Sequence, residues 1–113
     1  MLFRSSIGHH SFYFTYNTAP LLYDHIPDYG NGGGLNEING KTGKQAAVIL
    51  SEAMERIDRT RCDYWKNGVV GEPVLCAKYD SPNGWGSTVG GILFLSRIMG
   101  ACIQNPRSKV KVN

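Results

Sequence analysis

The sequence predicts an α+β fold: two long helices packed on a small antiparallel sheet formed by strands near residues 11–17 and 108–112. Three patterns carry that prediction. Phe12, Tyr13, Phe14, Thr15 and Tyr16 form an aromatic and β-branched run of the type that suits a pleated surface. Residues 42–59 and residues 88–103 each repeat apolar side chains at three-and-four spacing, which marks one buried stripe on a helix. At the chain end, Lys109, Val110, Lys111 and Val112 alternate polar and apolar, as a half-buried strand does.

With 113 residues the chain fits a single domain, since roughly 100–150 residues is the commonest domain size. In the first strand Phe12, Phe14 and Tyr16 fall on one face. Thr18 can cap a short helix over residues 20–25, with Pro20 in the first turn, where its missing N–H costs nothing, and Pro27 as the stop. Residues 29–34 are too rich in glycine to hold a fixed element cheaply, which predicts a mobile loop leading to a short segment around Leu35 and Ile38.

Thr42 is the expected cap for the first long helix, whose buried stripe is Ala46, Leu50, Ala53, Met54 and Ile57, with Glu52, Glu55, Arg56 and Arg59 opposite. Gly68, Gly71 and Pro73 predict irregular structure from Thr60 to Pro82. Ser87 or Thr88 caps the second helix, which runs to about Ile103. Ile92, Leu95, Met99 and Cys102 line one side, and Leu93, Phe94 and Ile98 widen the apolar arc. Such a helix is covered by its own core or by a second subunit. Pro106 then breaks the chain ahead of a last strand, which is expected to pair with the first.

A hydrophobic fraction of 42% with 19% charged residues describes a chain that folds. Fourteen glycines are about twice the usual share of roughly 7%, and they cluster where the backbone has special work to do. The net charge of +3 is spread, with local groups at Arg56, Arg59 and Arg61 and at Arg107, Lys109 and Lys111. These either stabilise a helix C-terminus and the open side of an edge strand, or bind nucleic acid. Cys62, Cys76 and Cys102 are odd in number and lack CxxC spacing, so neither a disulfide framework nor a zinc site is indicated. No apolar run approaches the ~20 residues of a membrane span, and no signal peptide opens the chain, so the expected setting is cytoplasmic with no membrane partner.

The chemistry-bearing residues do not form a catalytic signature. Gly40-Lys41-Thr42 at a helix start invites comparison with a phosphate-binding loop, but its spacing from Gly34 is wrong and no buried strand precedes it. What survives is a helix N-terminus with Lys41 and Lys44 nearby, either an anion site or an ordinary solvated cap. His9 and His10 adjoin a strand and point to opposite faces, which predicts surface histidines. A metal site combining one of them with His25 and Asp28 is the alternative. No G-x-S-x-G elbow is present, and no base is mapped to any cysteine or serine. The expectation is a protein that is not an enzyme and needs no cofactor or metal.

Aromatic groups beside flexible backbone are the better lead: Tyr16, Tyr29, Tyr64, Trp65, Tyr79 and above all Trp85, which sits between glycines in Asn83-Gly84-Trp85-Gly86. Such rings either close the core from a loop or stack on a ligand. The ligand reading takes Trp85 and Tyr16 as stacking platforms, Asn17 and Asn83 as readers of polar edges, and Lys41 with the amides around Thr42 and Gly43 as the hold on phosphate.

Tyr16-Asn17, Gly40-Lys41-Thr42-Gly43, Asn83-Gly84-Trp85-Gly86 and the stretch from Ala101 to Pro106 ahead of a valine-rich end resemble a family of small uncharacterised proteins from bacteriophages and prophages over about residues 12–112. The resemblance implies a phage protein that acts on host machinery by binding. The expectation is therefore a non-enzymatic homo-oligomer, joined through its apolar C-terminal helix. It would counteract host defence in the host cytoplasm by sequestering an anionic nucleotide-like signalling molecule. The alternatives are a protein that occludes a host protein through residues 29–34 with Tyr64 and Trp65, and a nucleic-acid-binding protein.

Overall fold

The computed structural model describes residues 2–15, 19–66 and 88–112. Strands β1 (Leu2–Ile7) and β2 (His10–Thr15) form a hairpin. Helix α1 (Ala19–His25) and a 3-10 turn (Gly34–Ile38) follow, then the long helices α2 (Gly43–Lys66) and α3 (Thr88–Gln104) and the short strand β3 (Lys111–Val112). The α+β architecture with two long helices and an antiparallel sheet holds as the sequence predicts.

The sheet order β2-β1-β3 departs from the expected pairing. Both predicted strands belong to the sheet, but β1 lies between them, with Ser6 opposite Ser11 on one side and opposite Lys111 on the other. The reason is local. Gly8 takes φ 56°, the left-handed region a two-residue hairpin turn requires at its first central position, so residues 2–7 fold straight back on β2. Local closure of a hairpin is entropically cheaper than pairing the two chain ends.

Helix α2 continues through residues 60–66, where an irregular stretch is expected. The breakers Gly68, Gly71 and Pro73 all lie beyond its end, so nothing before Lys66 interrupts helical hydrogen bonding. Tyr64 and Trp65 thus belong to the helix and not to a loop. Arg56 and Arg59 fall inside it, where each meets a glutamate one turn earlier, Glu52 at 3.7 Å and Glu55 at 3.5 Å.

The core is one hydrophobic cluster between the sheet and the helices. Ala46, Leu50, Ala53 and Ile57 supply the α2 stripe, all fully buried, and Met54 packs against it. Phe94, Leu95, Ile98, Ala101 and Cys102 face them from α3, while Leu21, Leu22 and Ile26 close the cluster from α1 and Ile7 from the sheet. Each fully buried Leu or Ile contributes about 1.5–3 kcal/mol relative to exposure. The core claims most of the apolar arc of α3. Leu93, expected within that arc, is 48% exposed instead, and Ile103 is 61% exposed. No helix of the described residues is long and apolar enough to cross a membrane.

Candidate functional site

The start of α2 is where the sequence reading places phosphate, and its amides are already committed. Thr42 and Gln45 form a reciprocal capping box: the Gln45 N–H donates to Thr42 Oγ1 at 3.3 Å and the Thr42 N–H donates to Gln45 Oε1 at 3.1 Å. The Gly43 N–H donates to the Ser108 carbonyl at 2.7 Å and the Lys44 N–H to the Pro106 carbonyl at 3.0 Å. A phosphate on these amides would have to displace bonds that hold the chain end to the helix. The amides of Thr42 and Gly43, expected to hold phosphate, thus already have acceptors within the chain. A Cβ at Gly43 would overlap the carbonyl oxygens of Asn105 and Cys102, so the glycine lets two backbones touch.

The same ladder gathers charge. Residues 105–112 run along residues 40–44 through Gly40 N–H to Val110 O (2.8 Å), Val110 N–H to Lys41 O (2.8 Å) and the Thr42–Lys109 bridge. Val112 N–H to Asn39 Oδ1 extends the contact. This ladder sets the backbone of Lys41 and Lys44 beside that of Arg107, Lys109 and Lys111, with the Lys41 side chain half-exposed and the other four exposed. No Asp or Glu occurs within residues 39–46 or 105–112. Among the described residues the ion pairs are Arg56–Glu52 and Arg59–Glu55, and none involves these five cations. Exposed charge of one sign with no ion-pair partner among the described residues attracts anions.

Tyr16, Asn17, Asn83 and Trp85 lie outside the described residues, as do Cys76 and Tyr79. Of the expected ligand set, the described residues therefore include Lys41, Thr42 and Gly43, and the Lys41 side chain is half-exposed.

The glycine loop is the second organised feature. Glu37, 1% exposed, accepts hydrogen bonds from the N–H groups of Tyr29 (2.7 Å) through Oε1 and of Asn31 (3.0 Å) and Gly33 (2.9 Å) through Oε2. Asp28 accepts from Gly30 at 2.7 Å and Gly32 at 3.1 Å, and those two N–H groups hold its carboxyl below the usual value. The expected mobile loop is thus tied at alternate amides by two carboxylates, a device that counts of glycine cannot reveal. Tyr29 is 53% exposed, and its hydroxyl lies 3.4 Å from Glu52 and 3.3 Å from Arg56, whose other guanidinium nitrogen donates to the His25 carbonyl at 3.1 Å.

His25 is buried, and its Nδ1 bonds the Leu21 carbonyl at 2.8 Å, whereas His9 and His10 are exposed. Among the described residues no group of three or more His, Cys, Asp or Glu is placed to hold a metal. The thiol of Cys102 is buried and free, and burial pushes its pKa up to about 11, away from the thiolate a nucleophile needs.

No protein-family model, curated protein or solved structure matches the chain.

Sequence reasoning missed two sets of residues. The capping partner Gln45 was legible three positions after Thr42. The merging of Lys41 and Lys44 with Arg107, Lys109 and Lys111 was not, because it depends on a contact between segments some sixty residues apart.

Proposed function

We propose that this chain is a non-enzymatic binding protein that captures an anionic, nucleotide-like ligand on the cationic surface formed by residues 41–44 and 107–111. The observation that carries this reading is that two backbone segments held side by side bear five cations, Lys41, Lys44, Arg107, Lys109 and Lys111, with no ion pair to any described residue. Natural folds commonly intersperse charges of both signs, and a single-sign field is favourable where a charged partner is steered and held. Lys41, Lys109 and Lys111 supply the ionic hold. Tyr16 and Trp85 as stacking rings, and Asn17 and Asn83 as readers of polar edges, remain part of the proposal. So does the setting implied by the phage resemblance, in which sequestering a host's signalling nucleotide blunts a defence response in the host cytoplasm. Exposed Leu93 and Ile103 on α3 are consistent with assembly of the chain into a homo-oligomer through that helix.

The test is equilibrium binding of a cyclic dinucleotide to the wild type and to the Lys109→Glu/Lys111→Glu variant. At least a tenfold loss of affinity is expected, with an unchanged thermal midpoint, and wild-type affinity in the folded variant rejects the surface.

A second reading has its own support. Tyr29, held by the Glu37-ordered loop and by Arg56 and Glu52, presents a half-exposed aromatic of the kind that anchors protein interfaces. In that reading the partner is a host protein, and Tyr29→Ala abolishes its stoichiometric capture while leaving dinucleotide binding intact. Nucleic-acid binding through the group from Arg56 to Arg61 with Lys109 and Lys111 ranks last, since Arg56 and Arg59 already pair with glutamates on α2.

A further inference from the structure

The outward face of the sheet carries a row of side chains that the cationic surface leads into. Ser6 lies opposite both Ser11 and Lys111, so these three share one face, and alternation along β2 puts Tyr13 on it as well. Burial agrees with this assignment. Ser11 and Lys111 are exposed and Tyr13 is 59% exposed, whereas Ser5 and Ile7 are buried and Phe12 and Val112 pack against the core. Lys109, two residues before Lys111, is also exposed.

Tyr13 is thus a large ring standing on an open sheet face. The stacked pair found on β2, His10 with Phe12 at 6.4 Å, involves the neighbouring positions and leaves Tyr13 out. From Lys111 to Tyr13 the path crosses two inter-strand steps of about 4.8 Å and two residues along the strand at about 3.4 Å each, a diagonal of about 12 Å between Cα atoms. Side chains as long as lysine and tyrosine shorten that gap to the scale of a nucleotide, base to phosphate. Ser6, half-exposed, lies between them, where a sugar hydroxyl would fall.

We infer that this sheet face is the base-binding half of the anion site, an inference that rests on the anion-binding reading above. Tyr13 stacks on an unpaired nucleobase, Ser6 hydrogen-bonds the sugar, and Lys109 with Lys111 holds the phosphate. A ring on an open sheet face offers stacking to any base and is blind to a duplex, whose bases are already stacked. The ligand class is therefore a free nucleotide or cyclic dinucleotide, in preference to double-stranded nucleic acid or inorganic phosphate.

The experiment titrates the full chain with a cyclic dinucleotide and, in parallel, with base-free tripolyphosphate. Tyr13→Ala is expected to weaken dinucleotide binding about tenfold and to leave tripolyphosphate binding unchanged, the loss of one stacked base. Tyr13→Phe should retain the dinucleotide affinity, and Lys109→Ala/Lys111→Ala should weaken both ligands. Wild-type dinucleotide affinity in Tyr13→Ala, alongside sensitivity to the lysines, overturns this inference and leaves the anion-binding reading standing. Equal loss of both ligands in Tyr13→Ala overturns it as well, since that pattern marks a structural role. Insensitivity of both ligands to the lysine variant removes the underlying reading, as does a failure of the wild type to bind the dinucleotide at millimolar concentration.

Discussion

Gly43 donates its backbone N–H to the carbonyl of Ser108 at 2.7 Å, joining the first turn of α2 to the segment that leads into β3. Around this bond the helix start meets the end of α3, with the Cys102 and Asn105 carbonyls close to Gly43, and the segment that leads into β3. It docks the chain end against the helix start, next to the Thr42–Gln45 capping box.

Replacing Gly43 by alanine should therefore cost about 2–3 kcal/mol. A Cβ there overlaps the Asn105 and Cys102 carbonyls, so either the helix start moves or the Ser108 bond is lost. Chemical denaturation of Gly43→Ala measures this, and a midpoint within error of the wild type contradicts the close approach.

Removing the carboxylate of Glu37 leaves three loop amides without an acceptor. Glu37→Ala should destabilise the protein by about 3 kcal/mol, in the range for hydrogen bonds to a charged buried group, and Glu37→Gln by less because one acceptor oxygen remains. The decisive readout is hydrogen exchange, which should accelerate at Tyr29, Asn31 and Gly33 in both variants and leave the α2 interior alone until global unfolding.

Asp28 predicts the acid behaviour of the same loop. Its folded carboxyl titrates below the ordinary 3.8 because Gly30 and Gly32 donate to the ionised form. A depressed folded value contributes stability that is complete above 3.8 and is lost as pH falls through the lower folded value. A carboxyl-carbon NMR titration should find Asp28 below the reference value, with Gly30 and Gly32 amide shifts tracking it. Asp28→Asn should remove that step.

For Cys102 the sign is opposite. Burial raises its pKa from 9.0 to about 11, so the contribution of the neutral thiol to stability is fully present below pH 9.0 and declines as pH rises toward about 11. The native protein should resist alkylation at this position at pH 8 and become reactive on unfolding. Mass mapping of modified Cys102 in the presence and absence of denaturant checks it, and rapid native modification contradicts its burial.

Both long helices were legible because periodic apolar positions such as Leu50, Ala53 and Ile57 follow directly from helical geometry. The extension of α2 to Lys66 is not legible in the same way, because Gly68, Gly71 and Pro73 mark that a helix stops before them without marking the residue at which it stops. The loop around Glu37 was hidden for a different reason. A glycine run states only that the backbone has freedom, while the acceptors that remove that freedom sit at Asp28 and Glu37 on either side.

By itself the sequence determined the α+β class, the buried stripes and the capping residue Thr42, since each depends on local periodicity or on contacts within one turn. Only the tertiary structure decided that β1 separates β2 from β3, that the amides at Thr42 and Gly43 are occupied, and that the segment of Lys41 runs beside that of Lys109. Each of those outcomes is a competition between distant segments for the same backbone groups. Strand register and the closure of the hairpin at Gly8 settle it, and no single stretch of residues encodes the result.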